Sequence, residues 1–489
     1  MTFESPARSP RLERGLLVAI ALAFMATAAV LVVFAPQFTW DESVYALTTR
    51  HWLEGTPASG WGPHRPLVLS ALGTLPVGLG FTDEAAFRVL SLLFAGGLIF
   101  AAWYLARGIA GPVAGLGAAL AVAAVPTFAN DAGLFLTDIP STALLLAMAA
   151  VLWRSMERAG APDRHLLWVA PLAAATFYLR YGSILALLAL AVAAGLIWPA
   201  KLAQGWRLVL ATLALTAALL VPHAVEAIVL TGSPIGIALA AQTGAQPAHL
   251  GDGLLFYLAA LPSGGLTGFV PGALMLAALI ALGTRLATRH PISVDPITRA
   301  MAFLVLSATL QLVVTGLFIL PQIRYVFPAI ALLVVAGAIG SWYWLNAAGR
   351  GGRAVLAATA VALLVSVAGN AFVVRGTAMR VLAAYEWQRD VGQLIRRMAG
   401  PNCSVLATDV PQITWYSGCV AVNFGDRARE GDRDRLLPVG ERLLVLRTDG
   451  IFQPTGDVLA GYLARVQAEP IAVVRHPDGS IAARVYRFR

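Results

Sequence analysis

Long apolar runs, separated by short groups of charged, Pro and Gly residues, fill the chain from residue 15 to residue 374. Such runs fall near 15–35, 84–106, 112–128, 134–153, 166–179, 183–199, 208–229, 264–284, 300–320, 325–345 and 354–374. A bilayer crossing takes about 20 apolar residues, so the pattern predicts about eleven spans, of which the fifth is short. Residues 252–262 read as an interfacial segment leading into the eighth span. After residue 375 the pattern changes. Ser404–Thr408, Val420–Phe424 and Leu443–Arg447 read as short strands, with helix-like stretches at Pro411–Tyr416 and 455–467. Ile471–Arg475 and Ile481–Arg487 flank Pro477-Asp478-Gly479, a turn signal for a hairpin. The expected fold is a polytopic α-helical membrane protein, residues 1–375, followed by a small α/β domain, residues 376–489.

Composition agrees with the pattern. The chain is 58% hydrophobic and 12% charged, with a mean hydropathy of +0.74, whereas soluble domains carry about 25% charged residues. The net charge of +9 does not point to nucleic acid, because the cations sit mostly in short loops between spans and no nucleic-acid-binding motif accompanies them. They report orientation instead. One alternating set of segments holds Arg8, Arg11, Arg14, Arg107, Arg154, Arg158, Arg164, Lys201, Arg207, Arg285, Arg289, Arg299, Arg350 and Arg353. The other short segments hold Arg50, Arg65, Arg180 and Arg324. Fourteen against four makes the first set cytoplasmic, with the N-terminus inside and the tail outside an inner (cell) membrane. The first run is too long for a cleaved signal peptide, and no small-residue cleavage site follows it.

The outer segments carry the candidate chemistry. Residues 36–83 form a first outer loop rich in Trp, Pro and Gly, and 230–252 form a second; loops of this length are usually functional. Trp40, Trp52 and Trp61 suit a membrane-interface belt, with Thr48–Leu53 as a helix on the bilayer surface. Asp41-Glu42, Asp83-Glu84, Asp131 and Asp138 all fall on this outer side, and carboxylates that persist near hydrocarbon are usually functional. His64-Arg65-Pro66 supplies a base candidate and a cation later in the same loop. Glu84 and Arg88 lie four apart on one helix face, which equally suits a structural ion pair. Asp138 lies in Leu136-Thr137-Asp138-Ile139-Pro140 at the start of a span, where Thr137 or Asp138 could cap the helix. Arg180-Tyr181 and Arg324-Tyr325 each fall where two spans meet outside. Either Arg is an interface anchor or a phosphate-binding group. Cys403 and Cys419 both lie in the tail, where an oxidising compartment permits a disulfide.

Taken in order, these motifs resemble the C-type membrane glycosyltransferases, in particular the bacterial branch related to protein O-mannosyltransferases and lipid A aminoarabinose transferases. The resemblance rests on Asp41-Glu42, Arg65-Pro66, Glu84 with Arg88, Thr137-Asp138-Ile139-Pro140, Arg180-Tyr181 and Arg324-Tyr325, and covers about residues 15–345. Each motif is short; their order and sidedness give the set its weight. Where the family commonly has Lys-Pro-Pro, this chain has Arg65-Pro66-Leu67, keeping the cation and losing the second Pro. The resemblance implies transfer of a sugar, with inversion, from a polyprenyl-phosphate donor to a lipid, polysaccharide or protein acceptor outside the cytoplasm. It implies Asp41 as base, Arg65 and Arg324 on the phosphate, and Asp138 orienting the site, with Glu42, His64, Glu84, Arg88, Arg180, Tyr181 and Tyr325 contacting substrate. No Gly-rich or Walker loop occurs, which fits a lipid-borne donor rather than a nucleotide sugar. Some relatives bind a divalent metal, but His64 and His249 lack ligand spacing and do not support one. The rival readings are a transporter or lipid flippase, and a membrane receptor with the tail as sensor. Mid-span regions nearly free of charge and the lack of repeated halves count against transport.

Overall fold

The computed structural model describes residues 10–58, 65–243, 249–260, 265–288, 295–400, 402–424, 440–449 and 456–488. Helices in chain order are α1 (Pro10–Phe34), α2 (Trp40–Glu54), α3 (Leu67–Gly78), α4 (Glu84–Ala110), α5 (Pro112–Ala123), α6 (Pro126–Ala132), α7 (Asp138–Glu157), α8 (Val169–Leu179) and α9 (Ile184–Ile197). They continue as α10 (Pro199–Gln204), α11 (Trp206–Thr231), α12 (Gly236–Thr243), α13 (Asp252–Ala260), α14 (Gly265–Ala287), α15 (Pro296–Phe318), α16 (Phe327–Ala347) and α17 (Gly349–Ala399). The chain divides into two compact units, one of Met1–Leu31, Pro66–Val68 and Val89–Arg375, the other of Val32–Arg65, Leu69–Arg88 and Gly376–Arg489.

The first unit is a helical bundle. Among the described residues, eight helices are long and apolar enough to cross a membrane (α1, α4, α7, α11, α14, α15, α16 and α17), and α5 with α6 makes a ninth as a bent pair. The bend of 70° falls at Ala124-Val125. Pro126 opens α6 and leaves Val125 extended at φ −73°, ψ 115°, because the residue before a proline avoids the helical region. The two remaining expected spans, 166–179 and 183–199, are shorter than a straight crossing. Their α-helical portions have 11 and 14 residues, since Arg164–Trp168 winds as a 3₁₀ turn and Arg180 breaks out to φ −155°. Helix α16 lies at the centre of the bundle, buried from Phe327 to Gly340 and packed against α5, α7, α14 and α15. Gly337 permits this: a Cβ there would stand 1.9 Å from the Leu274 carbonyl oxygen of α14. Small residues at such crossings let helix backbones approach closely.

The second unit gathers the tail with most of the first outer loop, which the sequence pattern alone assigns to the membrane portion. Its strands are β1 (Cys403–Ala407), β2 (Val420–Asn423), β3 (Glu441–Arg447), β4 (Glu469–Arg475) and β5 (Ile481–Phe488), with α18 (Val410–Ser417) and α19 (Gly456–Arg465). They form one sheet in the order β2-β1-β3-β5-β4. β1 runs parallel to β2 and β3, pairing Val405 with Ala421 and Leu443, while β5 is antiparallel to β3 and β4. Alternate side chains feed two cores. Val405, Leu443, Val445 and Val485 pack with Trp387, Val391 and Ile395 of α17. Leu406, Leu444, Leu446 and Phe488 pack with Tyr462 and Val466 on the α19 side. This period of two is what a sheet covered on both faces requires. All five expected strands and the terminal hairpin are present, and Cys403 is joined to Cys419 with Cα atoms 4.9 Å apart.

Candidate active site

In the loop-and-tail unit the candidate residues begin at the first turn of α2. Thr39 is the N-cap, and Glu42 reaches back to accept the Thr39 backbone N–H at 2.9 Å, as in a capping box. Gly55 closes the helix in the left-handed conformation at φ 65°. Asp41 is partly exposed and ion-paired with Arg65 at 2.8 Å, with side-chain exposures of 16% and 33%. The Arg65 guanidinium also lies 5.2 Å from the Trp40 ring. Glu42 has a different environment. Arg88 donates to both of its carboxylate oxygens, at 2.7 and 2.8 Å, and both side chains are 0% exposed. Arg88 also donates to the Gln37 carbonyl at 2.8 Å and to the Ala35 carbonyl. Every face of this guanidinium is therefore engaged in tying the chain before α2 to the start of α4.

Glu84 does not pair with Arg88, although the four-residue spacing suggested it. Its carboxylate accepts the Trp415 indole N–H at 3.0 Å and the Tyr416 hydroxyl. Tyr416 in turn accepts the Phe38 backbone N–H at 2.9 Å. Burial, and then the Glu84 charge, push the Tyr416 phenol well above its ordinary pKa, so it stays a hydroxyl donor. Nearby in the tail, burial also raises the Asp409 carboxyl, against the opposing charge of Arg447 at 3.2 Å.

The bundle holds a second constellation. Asp138, 2% exposed, opens α7 and is ion-paired with Arg180. The Arg180 guanidinium lies 4.9 Å from the centre of the Tyr325 ring, and Arg324 lies 5.7 Å from the same ring. Arg324 donates to the Gln322 side chain at 2.9 Å, and Tyr257 of α13 donates to the Gln322 carbonyl at 3.2 Å. Thus two guanidiniums flank one tyrosine, with one carboxylate to orient the first. Such a site can hold a dianionic phosphate, since guanidiniums match phosphate geometry and aromatic faces steady them.

Residues 64–225 match the family model described as dolichyl-phosphate-mannose-protein mannosyltransferase. Among solved structures, ArnT from Cupriavidus metallidurans, crystallised with undecaprenyl phosphate, superposes with a TM-score of 0.68 at 15% identity over 98% of each chain. The Archaeoglobus fulgidus oligosaccharyltransferase, crystallised with Zn and sulfate, gives 0.60 at 14% identity over 96% of this chain and 72% of its own. The mycobacterial arabinofuranosyltransferase AftD gives 0.56 at 16% identity, over 99% of this chain and 40% of its own. No curated protein matches in sequence. The chain has the fold of the C-type membrane glycosyltransferases.

Within this C-type fold the expected site residues separate. Asp41 and Arg65 form one partly open pair. Asp138, Arg180, Arg324 and Tyr325 form the other cluster. Glu42 and Arg88, expected to contact substrate, are fully buried against each other, and Arg88 also donates to the Gln37 carbonyl. Tyr181 is 5% exposed, its ring centre 5.1 Å from that of Phe177 and 4.7 Å from that of His223. Glu84 is engaged by α18. His64 lies outside the described residues. The His249 backbone N–H donates to the Asp252 carboxylate at 2.8 Å, and among the described residues no three His, Cys, Asp or Glu side chains form a metal-ligand group. Sequence reasoning missed Trp415, Tyr416, Gln322 and Tyr257. Only Gln322, two residues before Arg324, lay near a motif.

Proposed function

We infer that the chain is an integral-membrane glycosyltransferase that moves a sugar from a polyprenyl-phosphate carrier to an acceptor outside the cytoplasm, with inversion. The observation that carries this reading is Asp41: a carboxylate still partly open to solvent, ion-paired to Arg65, on a helix whose start is otherwise locked. Inverting transfer needs one base. The acceptor hydroxyl oxygen attacks the anomeric carbon, the bond from that carbon to the phosphate oxygen breaks, and polyprenyl phosphate leaves with the electron pair. Asp41 takes the hydroxyl proton, which requires an ionised carboxylate within hydrogen-bond reach. Arg65, 2.8 Å away, is its counter-ion. Arg65 is the cation beside Asp41 that stabilises phosphate as its charge grows; within the bundle, Arg180 and Arg324, the first oriented by Asp138, are a separate phosphate-binding candidate.

Support comes from the match to a polyprenyl-phosphate-dependent family model over residues 64–225 and from the fold shared with ArnT, whose structure holds undecaprenyl phosphate. Orientation follows the fourteen-to-four cation asymmetry, and the Cys403–Cys419 bond suits an extracytoplasmic tail. Purified protein should release polyprenyl phosphate from a polyprenyl-phosphate sugar in the presence of lipid and glycan acceptors. Comparing envelope glycans and lipids from cells with and without the protein then names sugar and acceptor. Unchanged glycans and lipids, together with an intact donor, would refute the reading. Reporter fusions after Arg489 and in loop 155–165 should report opposite compartments.

A further inference from the structure

We propose that Trp415 and Tyr416, on helix α18 of the tail, are positioning residues for Asp41. The proposal rests on the reading of Asp41 as the transfer base and assigns the tail domain a part in that step.

Helix α18 is buried along its whole length and packs on α2. Its two aromatic residues meet the segment that leads into α2. The Tyr416 hydroxyl accepts the Phe38 backbone N–H at 2.9 Å, three residues before Asp41, and donates to Glu84. Trp415 donates its indole N–H to the same Glu84 at 3.0 Å. Its ring stacks beneath the Arg50 guanidinium of α2 at 3.5 Å. Phe38, Phe87 and Trp415 form a closed aromatic triangle, with centroids 5.1 to 5.9 Å apart. Both ends of α2 are thus fixed by neighbouring residues of α18: the entry through Phe38, the later turns through Arg50. The Cys403–Cys419 bond secures α18 in turn. Cys419 follows two residues after the helix ends, and its backbone N–H donates to the Ser417 hydroxyl at 3.0 Å.

The physical consequence is angular. Asp41 lies in the first turn of α2, so a tilt of that turn moves its carboxylate relative to an acceptor hydroxyl. Misplacing a catalytic group by about 1 Å can cost about 100-fold in rate. Arg88 and Glu42 hold the turn from one side, and the Phe38 N–H bond to Tyr416 holds the strand entering it. A soluble appendage that touches the base-bearing helix in this way sets the rate of transfer without touching the sugar.

The test uses full-length protein and a polyprenyl-phosphate sugar that the wild type consumes and that Asp41→Asn does not. Tyr416→Phe removes one hydroxyl and keeps the ring; Trp415→Phe removes the indole N–H and keeps an aromatic ring. Each should lower kcat by up to about tenfold, the worth of one buried hydrogen bond. KM for the donor should stay within about twofold, because in this account no donor contact is lost. Hydrogen exchange at the amides of residues 38–42 should speed up in both variants while exchange in β3 and β5 does not. A wild-type kcat with wild-type exchange in either variant overturns the proposal. So does a loss of activity that simply tracks the loss of folded protein, or a rise in KM at constant kcat. If the wild type itself transfers no sugar, the glycosyltransfer reading fails first. The exchange measurement then decides the positioning claim alone: unchanged protection at residues 38–42 rejects it, and faster exchange confined there upholds the mechanical part.

Discussion

Asp41 and Glu42 are consecutive carboxylates on the first turn of one helix, and they have opposite surroundings. Glu42 points inward, where Arg88 and Thr39 satisfy it completely and no solvent reaches either partner of the ion pair. Asp41, about 100° further round the helix, lies at a partly open edge beside Arg65 and Trp40. The inner pair is closed to solvent, and the outer pair is partly open to it. A buried ion pair is costly to assemble and more costly to break, because removing one partner strands a charge away from water. The comparison teaches that two neighbouring residues of like type can have opposite surroundings: burial and the partner's location separate them where residue type and sequence neighbourhood do not.

That contrast yields ordered expectations. The largest effect on stability should come from Arg88→Ala, which leaves the Glu42 carboxylate buried and unmatched and should cost about 3 to 5 kcal/mol. Thermal unfolding of detergent-solubilised protein measures it, and an unchanged midpoint would mean that the pair is not closed. Next, Cys403→Ser with Cys419→Ser opens a loop spanning a sequence separation of 16. Loops near that size predict about 3 kcal/mol. The loss should appear as weaker exchange protection in β1 and β2, not as unfolding of the bundle. Arg65→Ala should raise the donor KM and slow transfer, by about 1.5 to 3 kcal/mol for a lost hydrogen bond to a charged group, with little change in stability. An unaltered KM and kcat would take Arg65 out of the site. The smallest effect is expected from Arg487→Gln, whose pair with Glu441 is 49% and 26% exposed. Exposed pairs contribute under about 1 kcal/mol, so a large shift there would undermine the ranking by burial.

Much of the fold could be read from the chain because periodicity is a local signal. The tail strands and hairpin follow from alternation and from Pro477-Asp478-Gly479, and most spans follow from length and apolarity. The fifth run, 166–179, reads as short and is short as α8, but the shortness of α9 and the breaks around both helices were not legible. Hydropathy counts apolar residues in a window and does not distinguish a 3₁₀ turn or an extended Arg180 from a continuing helix. The site was half legible. Local motifs marked Asp41, Arg65, Asp138, Arg180 and Arg324, but pairing is decided by tertiary packing. The i,i+4 rule pointed Arg88 to Glu84, whereas the fold gives it Glu42, 46 residues away. Glu84 receives its partner from Trp415, 331 residues on. No pattern in a single sequence encodes such pairs.

The most direct test of the central claim, that Asp41 performs chemistry where its neighbour performs architecture, is single-turnover transfer from a polyprenyl-phosphate sugar by Asp41→Asn. Asparagine keeps the shape and removes the basicity. The transfer rate should fall by about 100- to 10,000-fold, the range typical of a general base, with donor binding and the thermal midpoint close to wild type. Transfer at the wild-type rate by folded, donor-binding Asp41→Asn would contradict the claim and leave Asp138 as the carboxylate to examine.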